Sequence, residues 1–252
     1  MKIASYNIWN SERGFPKRLH QIIVEINSLE ADILCLQEVS QERLKVILQG
    51  THYTFHYSVE RVGLLGELAI LSKHPILFKA EGKYALISVI EYQGIKLSIA
   101  NIHLPYDSTK EREEEIIKVE SDVLGVKADF SFILGDFNCS EHSSVYRFLS
   151  SDVTLNGHEC HTYWIDLALV AEERYDIKRE MTLDLMHNPR WKTGNVCDCS
   201  ARVDLIFMHD CFPNDYPAMQ AYRYFGKSVD EETGLSPSDH YGVMVDLTFN
   251  KK

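Results

Sequence analysis

The chain has 252 residues, 45% of them hydrophobic and 25% charged, which suits a globular protein with a substantial core. Its formal net charge of −11 disfavours loose, sequence-independent binding of duplex nucleic acid, but leaves room for a local basic groove or a cation in an acidic site. No apolar run reaches transmembrane length, the first residues lack the apolar core of a leader, and the six cysteines form no regular framework, so a monomeric cytoplasmic protein with reduced thiols and no membrane span is expected.

In chain order, residues 2–6 read as a short strand ending in Asn7. A helix is expected over 16–29, because Pro16 suits a first turn and Leu19, Ile22, Ile23, Ile26 and Leu29 share a face. Residues 33–36 are a buried strand that ends in Gln37 and Glu38. Two more strands follow at 53–59 and 68–71, the second stopped by Lys73-His74-Pro75. Residues 84–90 and 95–102 read as a hairpin about Gln93-Gly94, whose second arm ends at Asn101 and His103. Ser108 caps a helix over 108–124 with glutamates in its first stretch and Ile116, Val119 and Val123 on its apolar face. Residues 129–134 form a buried strand that breaks at Gly135 and displays Asp136 and Asn138 at its tip. Short helices are expected over 143–149 and 166–173, and loop-rich stretches over 181–200 and 216–237. Strands at 203–208 and 241–249 close the chain, with Asp204 near the start of the first and Ser238-Asp239-His240 ahead of the second.

One pattern recurs. Short apolar strands end, or begin, in a carboxylate, an imidazole or an amide: Asn7, Glu38, His103, Asp136 with Asn138, Asp204, and Asp239 with His240. Each alone is an ordinary turn residue. Together they are the ligands and proton carriers of a hydrolase that uses a hard metal. There is no repeat, low-complexity segment or linker, and the early and late tips depend on one another, so residues 1–252 read as one catalytic domain.

The ordered set Tyr6-Asn7, Leu36-Gln37-Glu38, Asn101-Ile102-His103, Gly135-Asp136-Phe137-Asn138, Arg202-Val203-Asp204 and Ser238-Asp239-His240 resembles the endonuclease/exonuclease/phosphatase superfamily. The motifs cover nearly the whole chain; each is weak alone and the ordered set is strong. The layout is most similar to tyrosyl-DNA phosphodiesterase 2-like and bacterial sphingomyelinase-like members, although Tyr241 stands where the former often carry tryptophan after Asp-His. The resemblance implies an α+β, deoxyribonuclease-like fold: a four-layer sandwich of two packed mixed β-sheets flanked by helices. It also implies one phosphoesterase site at the sheet edges that uses Mg²⁺ or Mn²⁺.

On that resemblance Glu38 is the prime metal ligand, supported directly or through water by Asn7 and Asp239. His240 is the candidate general base with Asp204 as its partner, and Asp136 is the alternative base or the residue that orients the water. Asn138 and His103 are expected to donate to phosphoryl oxygens. Trp191 and Arg202, at the ends of the 181–202 stretch, are the candidate substrate contacts, and Lys192 could add positive charge. The expected reaction is hydrolysis of a phosphodiester by metal-assisted attack of activated water, the substrate being a nucleic-acid end or adduct. A phosphomonoesterase or sphingomyelinase-like enzyme and a catalytically silent binding relative are the alternatives; the complete set of competent residues favours an enzyme. His158, Cys160, His161, Cys197 and Cys199 do not follow the usual Cys-x₂-Cys zinc spacing and read as loop residues.

Overall fold

A computed structural model of the chain describes residues 1–59, 67–160, 163–192 and 198–249. Its elements are β1 (Lys2–Asn7), α1 (Lys17–Leu29), β2 (Ile33–Gln37), α2 (Gln41–Gly50), β3 (Phe55–Val59), β4 (Leu68–Ser72), β5 (Ile76–Glu81), β6 (Ala85–Tyr92), β7 (Ile95–His103), α3 (Thr109–Gly125), β8 (Phe130–Asp136), α4 (Ser144–Leu149), β9 (Trp164–Asp166), α5 (Leu167–Tyr175), β10 (Asp204–His209), β11 (Ala218–Phe225) and β12 (Gly242–Thr248). The strands make two six-stranded sheets, one in the order β11-β12-β1-β2-β4-β3 and the other in the order β5-β6-β7-β8-β10-β9.

Three apolar layers explain why the central strands read as unbroken hydrophobic runs. Alternate residues of one strand serve different layers. Ile33 and Cys35 of β2 face the other sheet, where Leu97, Ile99, Phe132 and Leu134 meet them. Leu34 and Leu36 point the opposite way, under Ile22 and Ile26 of α1 and Leu44 and Ile47 of α2. In the second sheet Ala100 and Ile133 lie under Ile116, Val119 and Val123 of α3 and Phe148 of α4. The result is the expected four-layer sandwich of mixed sheets. A buried polar clasp joins the sheets near the ends of β2 and β7: Asn101 Nδ2 of β7 donates to the Leu36 and Ala69 carbonyls at 2.9 Å, and Gln37 Nε2 donates to Asn101 Oδ1 at 2.7 Å. No helix among the described residues is long and apolar enough to cross a membrane.

Two expectations need correction. The 216–237 stretch is not all loop, since β11 pairs with β12 along its length. A register shift between Met219 and Ala221 places the buried side chains at Met219, Tyr222 and Phe225, so the two-residue alternation that betrays a strand is absent. Nor does the central strand break at Gly135. β8 continues to Asp136, with Ile102 opposite Gly135 and His103 opposite Asp136 in the β7 register. Glycine is needed there because its φ is +143° and a Cβ would lie 2.0 Å from the Ile102 carbonyl oxygen. Helix α2 and strands β5 and β9 are additional elements. Helix α2 is marked locally by its Ser40 cap, which accepts from the Arg43 N–H.

Candidate active site

The sheet topology brings the polar strand tips to one edge. Each sheet contains one parallel pair, β1 with β2 and β7 with β8. Parallel neighbours end side by side, which places Asn7 opposite Gln37 and His103 opposite Asp136. The antiparallel neighbours start where those strands end. Asp204, the first residue of β10, therefore lies opposite Asp136, and Asp239-His240 lead into β12 beside β1.

These side chains form a connected cluster across the two sheets, joined by hydrogen bonds and by close approach of imidazole to carboxylate. Asn7 Nδ2 donates to Glu38 Oε1 at 3.1 Å and to Asp136 Oδ2 at 3.0 Å. His240 Nδ1 lies 2.9 Å from Asp204 Oδ2 and 3.8 Å from Asp136 Oδ2, and His103 Nε2 lies 3.6 Å from the same Asp136 oxygen. The Asn138 N–H donates to Asp136 Oδ1 at 2.8 Å, while Asn138 Nδ2 donates to the Leu104 carbonyl at 2.8 Å. Asn7, Asp136, Asp204, Asp239 and His240 are buried, and Glu38, His103 and Asn138 are half-buried. Three residues around the site adopt left-handed backbone: Trp9 (φ 55°), Glu38 (φ 57°) and Asn138 (φ 48°). Asparagine tolerates this region, whereas for tryptophan and glutamate it costs about 1–2 kcal/mol each, strain of the kind that gathers at functional sites.

The electrostatics follow from burial among carboxylates. Burial pushes the His240 imidazole down, but Asp204 and Asp136 outweigh it and hold the ring well above its ordinary range. Since Nδ1 is bonded to Asp204, the charged ring presents its other proton at Nε2. Asp239 is pushed up to about 6 by burial, with the Glu38 charge adding to the rise. Asp136, Asp204 and His240 have ligand atoms within 4.8 Å of one another, a spacing that could hold a metal. In that group His240 Nδ1 is already engaged by Asp204 Oδ2 at 2.9 Å. Glu38 and Asp239 are a second pair of carboxylates whose oxygens could serve a hard divalent ion, and the Glu38 charge is felt at Asp239. Asn7 joins this group through its amide nitrogen; its Oδ1 accepts from the Trp9 N–H.

Other side chains hold the tips in place, and sequence reasoning missed them. Thr182 is fully buried; its Oγ1 accepts from the Val203 and Asp204 N–H groups at 3.0 Å, and its carbonyl accepts from Tyr241. Ser238 Oγ donates to the Asn7 carbonyl at 2.6 Å and accepts from the His240 N–H. Arg18 donates to five backbone carbonyls, those of Ile8, Trp9, Ser11, Arg13 and Pro237, which ties the loop after β1 to the turn before β12. Burial lowers its pKa to about 10, and the guanidinium stays charged at neutral pH. Arg18 was legible as a charge on the stripe it shares with Ile22, Ile26 and Leu29. Thr182, inside a polar stretch, gave no such signal.

The expected substrate contacts separate. Trp191 is brought to the site, where its Nε1 donates to the Asp239 carbonyl at 3.0 Å. Arg202 is not: it is buried, and its Nη2 is bonded to Asp166 at 2.6 Å and Glu141 at 3.0 Å, so its charge is neutralised within the fold. In the 181–202 stretch, Leu183 bridges Ala201, and residues 193–197 lie outside the described residues. Of the residues considered for zinc, His161 and Cys197 lie outside the described residues, Cys199 is exposed, and the Cys160 thiol faces Glu120 and the Leu149 carbonyl.

Two mixed sheets packed face to face, with carboxylates, imidazoles and amides gathered where their parallel strands end, define a two-sheet phosphoester hydrolase. The chain belongs to the Endonuclease/Exonuclease/phosphatase family, which it matches over residues 4–240. The family is divalent-metal dependent. No curated protein matches the chain. Among solved structures, truncated Caenorhabditis elegans TDP2 is 19% identical with a TM-score of 0.75, covering 99% of this chain and 97% of that one. D. rerio TDP2 complexed with a single-strand DNA product is 17% identical with a TM-score of 0.78, covering 100% and 99%. An endonuclease/exonuclease/phosphatase family protein from Bacteroides thetaiotaomicron is 19% identical with a TM-score of 0.72, covering 99% and 95%. At these identities the likeness is one of fold.

Proposed function

We propose that residues 1–252 act as one catalytic domain, a phosphodiesterase that depends on Mg²⁺ or Mn²⁺ and cuts a nucleic-acid end or adduct by attack of water. The convergence of Asp204, His240, Asp136, Asn7 and Glu38 carries this reading: Asp204 is bonded to His240, His240 lies 3.8 Å from Asp136, and Asn7 is bonded to both Asp136 and Glu38. Glu38 and Asp239 would hold the ion, with Asn7 orienting Glu38 and Asp136 through its amide nitrogen. When bound, the ion neutralises charge on the phosphodiester and on the departing oxygen. His240 stays protonated against Asp204 and donates from Nε2 to a phosphoryl oxygen, a preorganised charge in a site shielded from water. That assignment leaves Asp136, at the end of β8 and bonded by Asn7 of the other sheet, to orient the attacking water and receive its proton. His103 and Asn138 keep Asp136 in position and are the remaining donors toward the phosphoryl group. The single-strand DNA product in the D. rerio TDP2 structure supports a nucleic-acid substrate for a chain of the same fold. A monomeric, cytoplasmic enzyme completes the reading.

Hydrolysis of bis(p-nitrophenyl) phosphate tests the reading. Turnover is expected with Mg²⁺ or Mn²⁺, to vanish in EDTA, and to fall about 10²–10³-fold in His240→Gln, the loss typical of a preorganised donor. Activity that survives EDTA, or wild-type rates in both Glu38→Gln and His240→Gln, removes it.

A further inference from the structure

Six side chains form a continuous ladder of alternating cations and aromatic rings that ends at the site. The Arg43 guanidinium lies 4.1 Å from the Phe15 ring centroid, Arg18 lies 4.9 Å from Phe15 and 4.4 Å from Trp9, and Arg190 lies 5.2 Å from Trp9 and 4.7 Å from Trp191. Two of the three cations already hold polar partners. Arg18 is bonded to its five carbonyls, and Arg43 bonds Asn10, the Ser11 carbonyl and Glu12.

Arg190 differs. Among the described residues its guanidinium makes no hydrogen bond or ion pair, and its buried Nε has no partner. Stacking holds a guanidinium by its faces and leaves the donors in its plane unused. Both flanking residues are tied to the proposed metal side of the site: the Trp9 backbone N–H donates to Asn7 Oδ1 at 3.0 Å, and the Trp191 ring donates from Nε1 to the Asp239 carbonyl. The Arg190 charge is accordingly felt at Asp239. In a chain of net charge −11, such a cation beside the site is where an anionic strand gains most on arrival.

The geometry points to Arg190 as a substrate-binding residue that holds a phosphate of a single-stranded nucleic-acid end, next to the one being cut. This rests on the phosphodiesterase reading and names the strand as its substrate class. A choline lipid is disfavoured by the same feature. Quaternary ammonium groups are recognised by open aromatic faces, and here the faces of Trp9 and Trp191 already carry a guanidinium.

Binding of a fluorescein-labelled, 5′-phosphorylated oligothymidylate, followed by anisotropy in EDTA across a salt series, tests the assignment without turnover. Arg190→Gln is expected to weaken binding about tenfold, as for one charge-assisted phosphate contact. It should also reduce the slope of log affinity against log salt by about 0.7. Arg190→Lys should keep the slope while recovering part of the affinity. Unchanged affinity and slope in Arg190→Gln overturn the proposal. So does binding of sphingomyelin vesicles, alike in wild type and variant, by a protein that ignores the oligothymidylate. The two readings fail separately. Arg190-dependent binding without metal-dependent hydrolysis of the oligothymidylate or of bis(p-nitrophenyl) phosphate sinks the enzymatic reading alone. Hydrolysis of bis(p-nitrophenyl) phosphate with Arg190-independent oligothymidylate binding sinks this one alone.

Discussion

Thr182→Val isolates one hydroxyl that the fold uses twice. Valine keeps the shape of threonine, so the substitution removes little packing. It strips the acceptor from the buried Val203 and Asp204 N–H groups, both 3.0 Å from Thr182 Oγ1. An unpaired buried donor costs about 1–3 kcal/mol, so two cost about 2–6, and the added methyl returns about 0.8 kcal/mol. The net loss is then about 1–5 kcal/mol, a large part of the 5–15 kcal/mol typical of whole proteins. The damage reaches the site because Asp204 is the partner of His240, and its backbone would no longer be fixed. Thr182→Ser is the control: it keeps the acceptor and loses only a methyl, worth about 0.8 kcal/mol. Urea unfolding of both variants, alongside bis(p-nitrophenyl) phosphate turnover, gives the comparison. Equal stability of the valine and serine variants would refute the argument, since the hydroxyl would then carry no weight.

Further outcomes can be checked with the same protein. Gly135→Ala must place a Cβ 2.0 Å from the Ile102 carbonyl oxygen in backbone with φ +143°, so β7 and β8 separate at the site. A loss above about 4 kcal/mol or failure to fold is expected in thermal melts. Burial pushes the Cys139 thiol up to about 11, so it stays protonated at pH 8 and should resist iodoacetamide, whereas exposed Cys199 should react; peptide mapping by mass spectrometry reads both. Glu38→Gln should weaken Mn²⁺ binding at least about tenfold by calorimetry, and Arg202→Gln should lower stability through its bond to Asp166 rather than change substrate affinity.

What the sequence showed depended on whether a residue's role was local. Strands β1, β2, β4, β7, β8 and β10 were legible because both faces are buried, which makes each an apolar run that stops at a polar tip. β11 was hidden because its register shift scatters the buried positions, and β9 because three residues carry no period. The polar tips were legible as a set in chain order. Their contacts were not, since Asn7 meets Asp136 across 129 residues and Asp204 meets His240 across 36. Arg202 was misread for the same reason: two residues before Asp204 in sequence, it is turned to Asp166 on the neighbouring strand.

The placement of the site follows from the mixed sheets. In an all-antiparallel sheet, neighbouring strands end at opposite edges, so no two adjacent tips could both be C-terminal. One parallel pair per sheet puts two C-terminal tips together, and packing the sheets face to face brings four to a single edge. The antiparallel partners add the starts of β10 and β12, and with them Asp204 and His240. Carboxylates gathered in this way repel one another, which is why burial and Glu38 hold Asp239 at about 6. The fold answers inside the cluster with the His240 imidazolium and the Asn7 amide, and just outside it with Arg18. Asp239 stays raised even so, with the Glu38 charge among the causes. A divalent ion at Glu38 and Asp239, as proposed, would offset that repulsion. Mn²⁺ affinity should therefore fall in Glu38→Gln and hold in Asp204→Asn.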